Sequence, residues 1–501
     1  MTIIKRGKIS KPPAPELVEY LFRPAIETDL QRSYQTIVDI NRAHVIMLEE
    51  EGIIKKEVAS KILKVTQEIS QMQSKPKFEI TPDVEDLYFN MERYLIKKTG
   101  IDIGGQQHTG RSRNDMIATL ARIDSRTYYF KLCGLLNELR NSLLAFAKTN
   151  TKTVFSGYTH LQPSEPITMA HYCSAILNAL ERDYTRINNA FYSLNICPLG
   201  GCAMASTSFP INRETTAALL GFNKPIPNSI DCVASRDYVI EIISGFSIMA
   251  NNLSRLAQDL YIWSTPEFNY VEVDDSVAAC SSIMPQKKNP ITLEHIKSKA
   301  AHLEAFYISV FSALKNTPYT HARDISCESI KYYWSALQEA EAILKLSIVT
   351  VKTLKVKKDE MLKKAQENFC SVTELANYFV RYDGISFRAA HEIVANIVNY
   401  MIVNNKRSDE IDKEIINKSY EKLFQKRTTL TNEQIMNALN PLLNVSGKKA
   451  EGGSNPAEVK QQLAQIKKQL KRDEKSLAKR IDYVNLAKSS LDKKTNELIK
   501  M

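Results

Sequence analysis

From Tyr238 onward the apolar residues Ile242, Phe246, Met249, Leu253, Leu256 and Leu260 recur at alternating steps of four and three. Such spacing puts them on one face of a helix and predicts a continuous apolar seam. No proline interrupts the run before Trp263, and about 27 residues at 1.5 Å each make a helix about 40 Å long. Ile167 to Ile196 and Thr292 to Thr317 are also proline-free, with apolar residues three and four apart. Several long helices of matched length predict an all-α fold built on a bundle.

Shorter helical patterns, Leu30 to Glu51 and Glu57 to Gln73, precede residue 112, and helices of ordinary length follow residue 363. Turn chemistry separates the long elements at Gly157 through Pro166, Cys197 through Gly201, Pro225 through Asn228, and a loop ending at Pro290. Three helical domains are expected: an N-terminal domain over 1–112, a central long-helix bundle over 113–363, and a C-terminal domain with a basic tail over 364–501. A seam that one chain leaves uncovered calls for other copies of the chain.

Composition narrows the class. The 16 glycines among 501 residues are about half the usual share of roughly 7%, which favours helices over a turn-rich β fold. No apolar run approaches the 18 residues of a membrane span, and residues 1–10 lack a secretory apolar core, so a cytosolic location is expected. The eight cysteines are scattered without Cys-x-x-Cys spacing, so neither a disulfide framework nor a metal site is expected. The segment from Ala457 to the end carries +6 of the +11 net charge. Its acids and bases are interspersed, and Leu463, Ile466, Leu470, Leu477, Ile481 and Val484 keep helical spacing, which predicts an amphipathic helix rather than a nucleic-acid-binding tail.

Chemistry concentrates in three stretches. Cys280-Ser281-Ser282-Ile283-Met284-Pro285-Gln286-Lys287-Lys288-Asn289-Pro290 places hydroxyls, ammonium groups and an amide before a helix that Pro290 opens. Such a stretch can hold negative charge, although alone it would also serve as a polar cap. His108 through Asp115 packs two guanidinium groups, an amide and hydroxyls into one turn ahead of a helical pattern, suited to gripping carboxylates. Gly157-Tyr158-Thr159-His160-Leu161-Gln162 supplies a histidine, whose unperturbed pKa lies near neutrality and suits proton transfer.

The first of these resembles the loop Gly-Ser-Ser-x-Met-Pro-x-Lys-x-Asn-Pro of the fumarase, aspartase and argininosuccinate lyase superfamily, with Cys280 in place of the glycine. The second matches the argininosuccinate lyase pattern His-Thr-Gly-Arg-Ser-Arg-Asn-Asp. Ala205 through Glu214, Ser235-Arg236-Asp237 and Arg381 through Glu392 are similar to the same branch. The resemblance implies a carbon-nitrogen lyase that eliminates an amine from an N-substituted aspartate to release fumarate, without cofactor or metal. It also implies a homotetramer around a 20-helix core, with each site built from three subunits.

By the same resemblance Ser281 is the base. His160, paired with Glu294, is the proton donor, and Lys287 and Asn289 hold the charge of the intermediate. Ser112, Arg113, Asn114 and Thr159 bind the substrate's carboxylates, and Arg236 and Tyr319 also bind substrate. The expected partners are an N-substituted aspartate or fumarate and other copies of this chain, with no nucleic acid and no membrane.

Departures from the branch fall at Tyr88, Met91, Asp324 and Cys327. They are expected to alter recognition of the amine half, so that argininosuccinate would be a poor substrate beside another N-substituted aspartate. Two alternatives are a non-catalytic, crystallin-like relative and a lyase run in reverse to add an amine to fumarate. Retention of Ser281, His160, Lys287 and Asn289 together weighs against the first.

Overall fold

The computed structural model describes residue 9 and residues 11–500. Five long helices form its centre: α4 (Arg113–Thr149), α5 (Met169–Leu194), α6 (Asp237–Trp263), α7 (Ile291–Leu314) and α8 (Lys331–Thr353). Before them stand α1 (Tyr34–Glu50), α2 (Lys56–Met72) and α3 (Leu87–Thr99), and at the end runs α9 (Pro456–Ile499). The seam read from the sequence is one face of α6: Ile242, Phe246, Met249, Leu253, Leu256 and Leu260 are all buried in the central core.

Cross-helix contacts fix the direction of each helix. Arg122 reaches Ser193 and Tyr129 reaches Ile187, so α4 and α5 are antiparallel. Tyr172 meets Asp259 and Asp183 meets Asn252, which makes α5 and α6 antiparallel as well. Tyr261 near the end of α6 contacts Glu294 at the start of α7. Lys299 pairs with Glu339 while Phe306 stacks on Tyr332, so α8 returns antiparallel to α7.

The bundle therefore has two unlike ends. The starts of α4, α6 and α8 meet the finishes of α5 and α7 at one end, here the clamp end. The opposite termini meet at the other, the hairpin end. The 27 residues of α6 put about 40 Å between them.

Among the described residues, six short strands punctuate the helices in three antiparallel ladders. Val154–Thr159 pairs with Gln162–Thr168, so the stretch read as a turn from Gly157 to Pro166 is a β-hairpin. A bulge at Gly157 shifts its register, and a Cβ there would come within 3.0 Å of the Glu165 carbonyl, which explains the glycine. Ala279–Cys280 pairs with Lys288–Asn289, closing the base of the Ser281 loop, and Val271–Glu272 pairs with Lys355–Val356.

Apolar clusters group the rest. One gathers α1, α2 and α3 with Leu199, Leu219 and Phe222, and another gathers residues 375–438. The tail departs from the division drawn at residue 364. Asn455 caps α9, Pro456 stands at its first turn, and the helix leaves the 375–438 cluster behind. Leu463, Ile466, Leu470 and Leu477 bury in the central core, while Arg42 with Asp492 and Glu50 with Lys494 tie its far end to α1.

Candidate active site in two halves

At the clamp end, Ser112 is the N-cap of the 37-residue α4 and forms a capping box with Asp115. The Ser112 hydroxyl accepts the Asn114 N–H, and Asp115 accepts the Ser112 N–H at 3.1 Å. Asp115 also accepts the N–H groups of Gly200 and Cys202 at 2.8 and 2.9 Å, which anchors the loop over residues 200–206 beside the cap. Burial nevertheless pushes its carboxyl up to about 6, against the pull of those three donors. Arg113 donates to Glu85 at 2.9 Å and Asp86 at 2.8 Å, with its guanidinium 4.1 Å from the centre of the Phe89 ring. The Asn114 amide donates to the Ala203 carbonyl at 3.0 Å. These residues surround the positive end of a long helix dipole, a natural seat for a carboxylate.

Arg236 and Tyr319 belong to the same end. Arg236 precedes α6 and is only 2% exposed. One of its nitrogens donates to the Ser235 carbonyl, while Nε and Nη2 are buried without a partner. Tyr319, just past α7, donates its hydroxyl to Asp231 at 2.5 Å. Two residues on, His321 is half-buried, its Nδ1 also lacks a partner, and burial together with Arg236, Arg323 and Arg113 brings its pKa down to about 4.

At the hairpin end, His160 and Leu161 form the two-residue tip of the β-hairpin, at φ 55° and 56°. Both are exposed. The primed turn that closes a hairpin demands positive φ at both central positions, normally met by Asn or Gly. Placing His and Leu there costs on the order of 1–3 kcal/mol each, the kind of local strain that clusters at functional sites. Thr159 closes the strand opposite Gln162 and is exposed too.

The Ser281 loop rises from its own ladder at this end. The Ser281 hydroxyl oxygen accepts the backbone N–H of Met284 at 3.0 Å and of Ile283 at 3.4 Å. Lys287 is exposed, whereas its neighbour Lys288 is tied to Glu272 at 3.1 Å and Asp275 at 2.5 Å. Asn289 is held in the ladder opposite Ala279. Glu294, on the first turn of α7, accepts the Tyr261 hydroxyl at 3.4 Å, and within one chain no hydrogen bond joins it to His160.

One chain thus collects Ser112, Arg113, Asn114, Arg236 and Tyr319 at one end and Thr159, His160, Ser281, Lys287, Asn289 and Glu294 at the other. A groove of about 930 Å³ between α4, α8 and α9 holds none of them. Of the sequence departures, Tyr88 is 1% exposed and bonds Glu92, His108 and Arg111, and Met91 lies in the N-terminal core. Both face inward because they share the buried side of α3. His321 and Arg323 follow Tyr319 in the loop that departs from the lyase pattern.

Comparison with known proteins places this geometry. Residues 29–303 match the family model described as lyase, and residues 369–445 match the one described as argininosuccinate lyase C-terminal. The chain is 48% identical to argininosuccinate lyase 1 of Shouchella clausii, covering 94% of this chain and 95% of the relative. It is 36% identical to argininosuccinate lyase of Methanosarcina barkeri over 99% of each. Among solved structures, EDDS lyase in complex with formate superposes with a TM-score of 0.87 at 29% identity, covering 98% of this chain and 97% of that one. A fumarate lyase from Mesorhizobium sp. BNC1 shares the fold at a TM-score of 0.70 and 18% identity, covering 91% and 99%. The chain therefore belongs to the argininosuccinate lyase family of the fumarase and aspartase superfamily, and is a carbon-nitrogen lyase that releases fumarate.

Proposed function

We propose that the chain cleaves argininosuccinate into fumarate and arginine, as a homotetramer in which each site draws residues from three copies. The observation that carries this reading is the placement of the carboxylate clamp and the proton-transfer residues at opposite ends of a bundle about 40 Å long. A single small molecule of this kind cannot touch both ends of one chain. Antiparallel association brings the clamp end of one copy to the hairpin end of another. Exposed apolar side chains on the bundle support that association, among them Ile308 (55% exposed) and Phe311 (49%) on α7. The relatives' names supply the substrate. Six of the eight cysteines are buried and all are free, which fits a cytosolic enzyme.

In this reading Ser281, as an alkoxide, takes a proton from the succinyl carbon beside a carboxylate. The backbone N–H groups of Ile283 and Met284 already point at its oxygen and, with the Lys287 ammonium, stabilise that charge. Asn289 and Thr159 help hold the doubly negative intermediate, a preorganised donor being worth about 10²- to 10³-fold in rate. The carbon-nitrogen bond then breaks, its electron pair leaves with nitrogen, and the new carbon-carbon double bond is that of fumarate. His160, oriented by Glu294 from another copy, gives the departing nitrogen its proton. Loop closure over the ladder base expels water.

The test is to incubate the full chain with argininosuccinate and follow fumarate absorbance. A kcat/KM above about 10⁴ M⁻¹s⁻¹, as in ordinary enzyme-substrate pairs, is the expected result. Fumarate released only from some other N-substituted aspartate would overturn the choice of amine, and release from none would overturn the proposal.

A further inference from the structure

The turn from His108 to Arg111 leads directly into Ser112, Arg113 and Asn114, and each of its four residues is held from another element. His44 on α1 has its Nε2 2.8 Å from the Thr109 carbonyl oxygen. The Cys202 thiol donates to the Gly110 carbonyl at 3.1 Å. Gly110 itself sits at φ 65°, and a Cβ there would come within 3.0 Å of the Ile211 side chain. The remaining two residues converge on one atom. The Tyr88 hydroxyl oxygen, on α3, lies 2.7 Å from His108 Nδ1 and accepts from Arg111 Nη2 at 3.2 Å. Its own proton goes to Glu92, one helical turn further along α3, at 2.8 Å. With one bond donated and two accepted, the hydroxyl is saturated.

Tyr88 ties two positions of the turn at once, and Arg111 has no substitute for it. Arg111 is 6% exposed, and its Nε and Nη1 are buried without a hydrogen bond. Among the described residues its side chain therefore has one hydrogen bond, the one to Tyr88. A buried guanidinium that loses its acceptor has to shift, and the backbone of the turn shifts with it. Burial holds the Tyr88 phenol far above its ordinary range, so the hydroxyl stays neutral. Burial opposes the charge of Glu92, but the bonds from His108 and Tyr88 outweigh it and keep that carboxyl below its ordinary range. The hydroxyl's proton is thus aimed at Glu92 and its lone pairs at the turn. We infer that Tyr88 is a positioning residue for the fumarate-releasing reaction, its hydroxyl locking the turn that presents the carboxylate clamp. This rests on the proposal that Ser112, Arg113 and Asn114 bind the substrate's carboxylates, and it names what holds them in place. The departure at Tyr88 accordingly bears on the succinyl half of the substrate and not on the amine half.

The experiment uses the full-length enzyme carrying Tyr88→Phe, which keeps the ring and its packing and removes only the hydroxyl. KM in the fumarate-forming assay should rise at least about tenfold while kcat changes less than about threefold, because the lost bonds support binding and not the chemical step. The dissociation constant of fumarate by titration calorimetry, which does not depend on the amine that leaves, should rise by a similar factor. Hydrogen exchange in the free enzyme should quicken over residues 108–115 and not along the rest of α3 and α4. Unchanged KM and fumarate affinity, a loss in kcat alone, or exchange that quickens along both helices alike would overturn the inference, the last by showing a purely structural role. Tyr88 lies in the N-terminal core, so the milder His108→Asn, at a half-buried residue, guards against misfolding and should raise KM at least about threefold. No rise there, with Tyr88→Phe unfolded, would also overturn it. Ser112→Ala in parallel tests the clamp itself. Unchanged fumarate affinity in that variant removes the clamp reading, whereas exchange over 108–115 in Tyr88→Phe reads the hold on the turn without any substrate.

Discussion

The two ends of the central bundle are built in opposite ways. At the clamp end, Arg113, Asn114, Asp115 and Tyr319 are each fixed by a named partner, and Arg236 is sealed in the interior. At the hairpin end, His160 and Leu161 sit exposed at positive φ on a turn tip, and Ser281 rides a seven-residue loop whose ladder base is two residues wide. In the function proposed above, binding is preorganised on helix termini, where dipoles and buried partners define the geometry before substrate arrives. Proton transfer is assigned there to projecting elements that a neighbouring copy would complete. Rigidity and exposure are thus divided between the two ends.

The sharpest way to break this comparison is at Ser281. Ser281→Ala is expected to lower turnover by at least about 10³-fold, as for loss of a group that both carries the proton and is stabilised by preorganised donors. The oligomer should be unchanged by light scattering, because the side chain contributes little packing. A variant keeping a tenth of wild-type turnover would take the base role away from it. His160→Asn should cost about 10²-fold or more, and the loss should shrink for a substrate whose nitrogen leaves readily. Equal losses for good and poor leaving groups would leave His160 an orienting residue only.

A smaller effect is expected near the clamp end at Asp29. Burial, reinforced by Asp86, pushes its carboxyl up to about 7. The folded state therefore holds a proton that the unfolded chain releases near pH 4, and stability falls as pH rises from about 4 to about 7. Asp29→Asn, which removes the ionisation, should raise the melting point at pH 8 by an amount corresponding to about 1 kcal/mol or more and leave it nearly unchanged at pH 4. Stabilisation that is equal at both pH values would show that ionisation is not the cause. Smallest of all, Leu161→Gly should relieve the strained turn tip and stabilise the chain by a few tenths of a kcal/mol to about 1 kcal/mol, and a drop in melting point would show that the leucine is held by packing.

The long helices were legible because their seams follow simple periodicity. The run from Tyr238 to Trp263 is α6 to within one residue, and the polar turn before Asn114 is the cap of α4. The hairpin at His160 was not legible as strands. Its second strand carries Pro163 and Pro166, which read as breakers, and its tip lacks the Asn-Gly that ordinarily marks such a turn. The tail's apolar spacing was plain, but periodicity names a face and not the surface it meets, so its return along the bundle to α1 could not be foreseen. The site residues were recognised from contiguous motifs. Their division between ends follows from which helices run antiparallel, a long-range property that no local pattern records. The inward setting of Tyr88 and Met91 was hidden for a related reason, since a departure from a motif marks a changed residue without saying which way its side chain points.

The proposed division of the site between copies can be tested by mixing two dead variants. Asn114→Ala removes a clamp-end donor and Ser281→Ala the hairpin-end base, so each alone should be inactive. Co-expression gives mixed tetramers in which some sites take an intact clamp from one copy and an intact Ser281 from another. Lyase activity is expected to reappear in the mixture, well above the sum of the two variants assayed separately. Activity no greater than that sum, in tetramers shown to be mixed, would contradict it and require both halves of the site to come from a single chain.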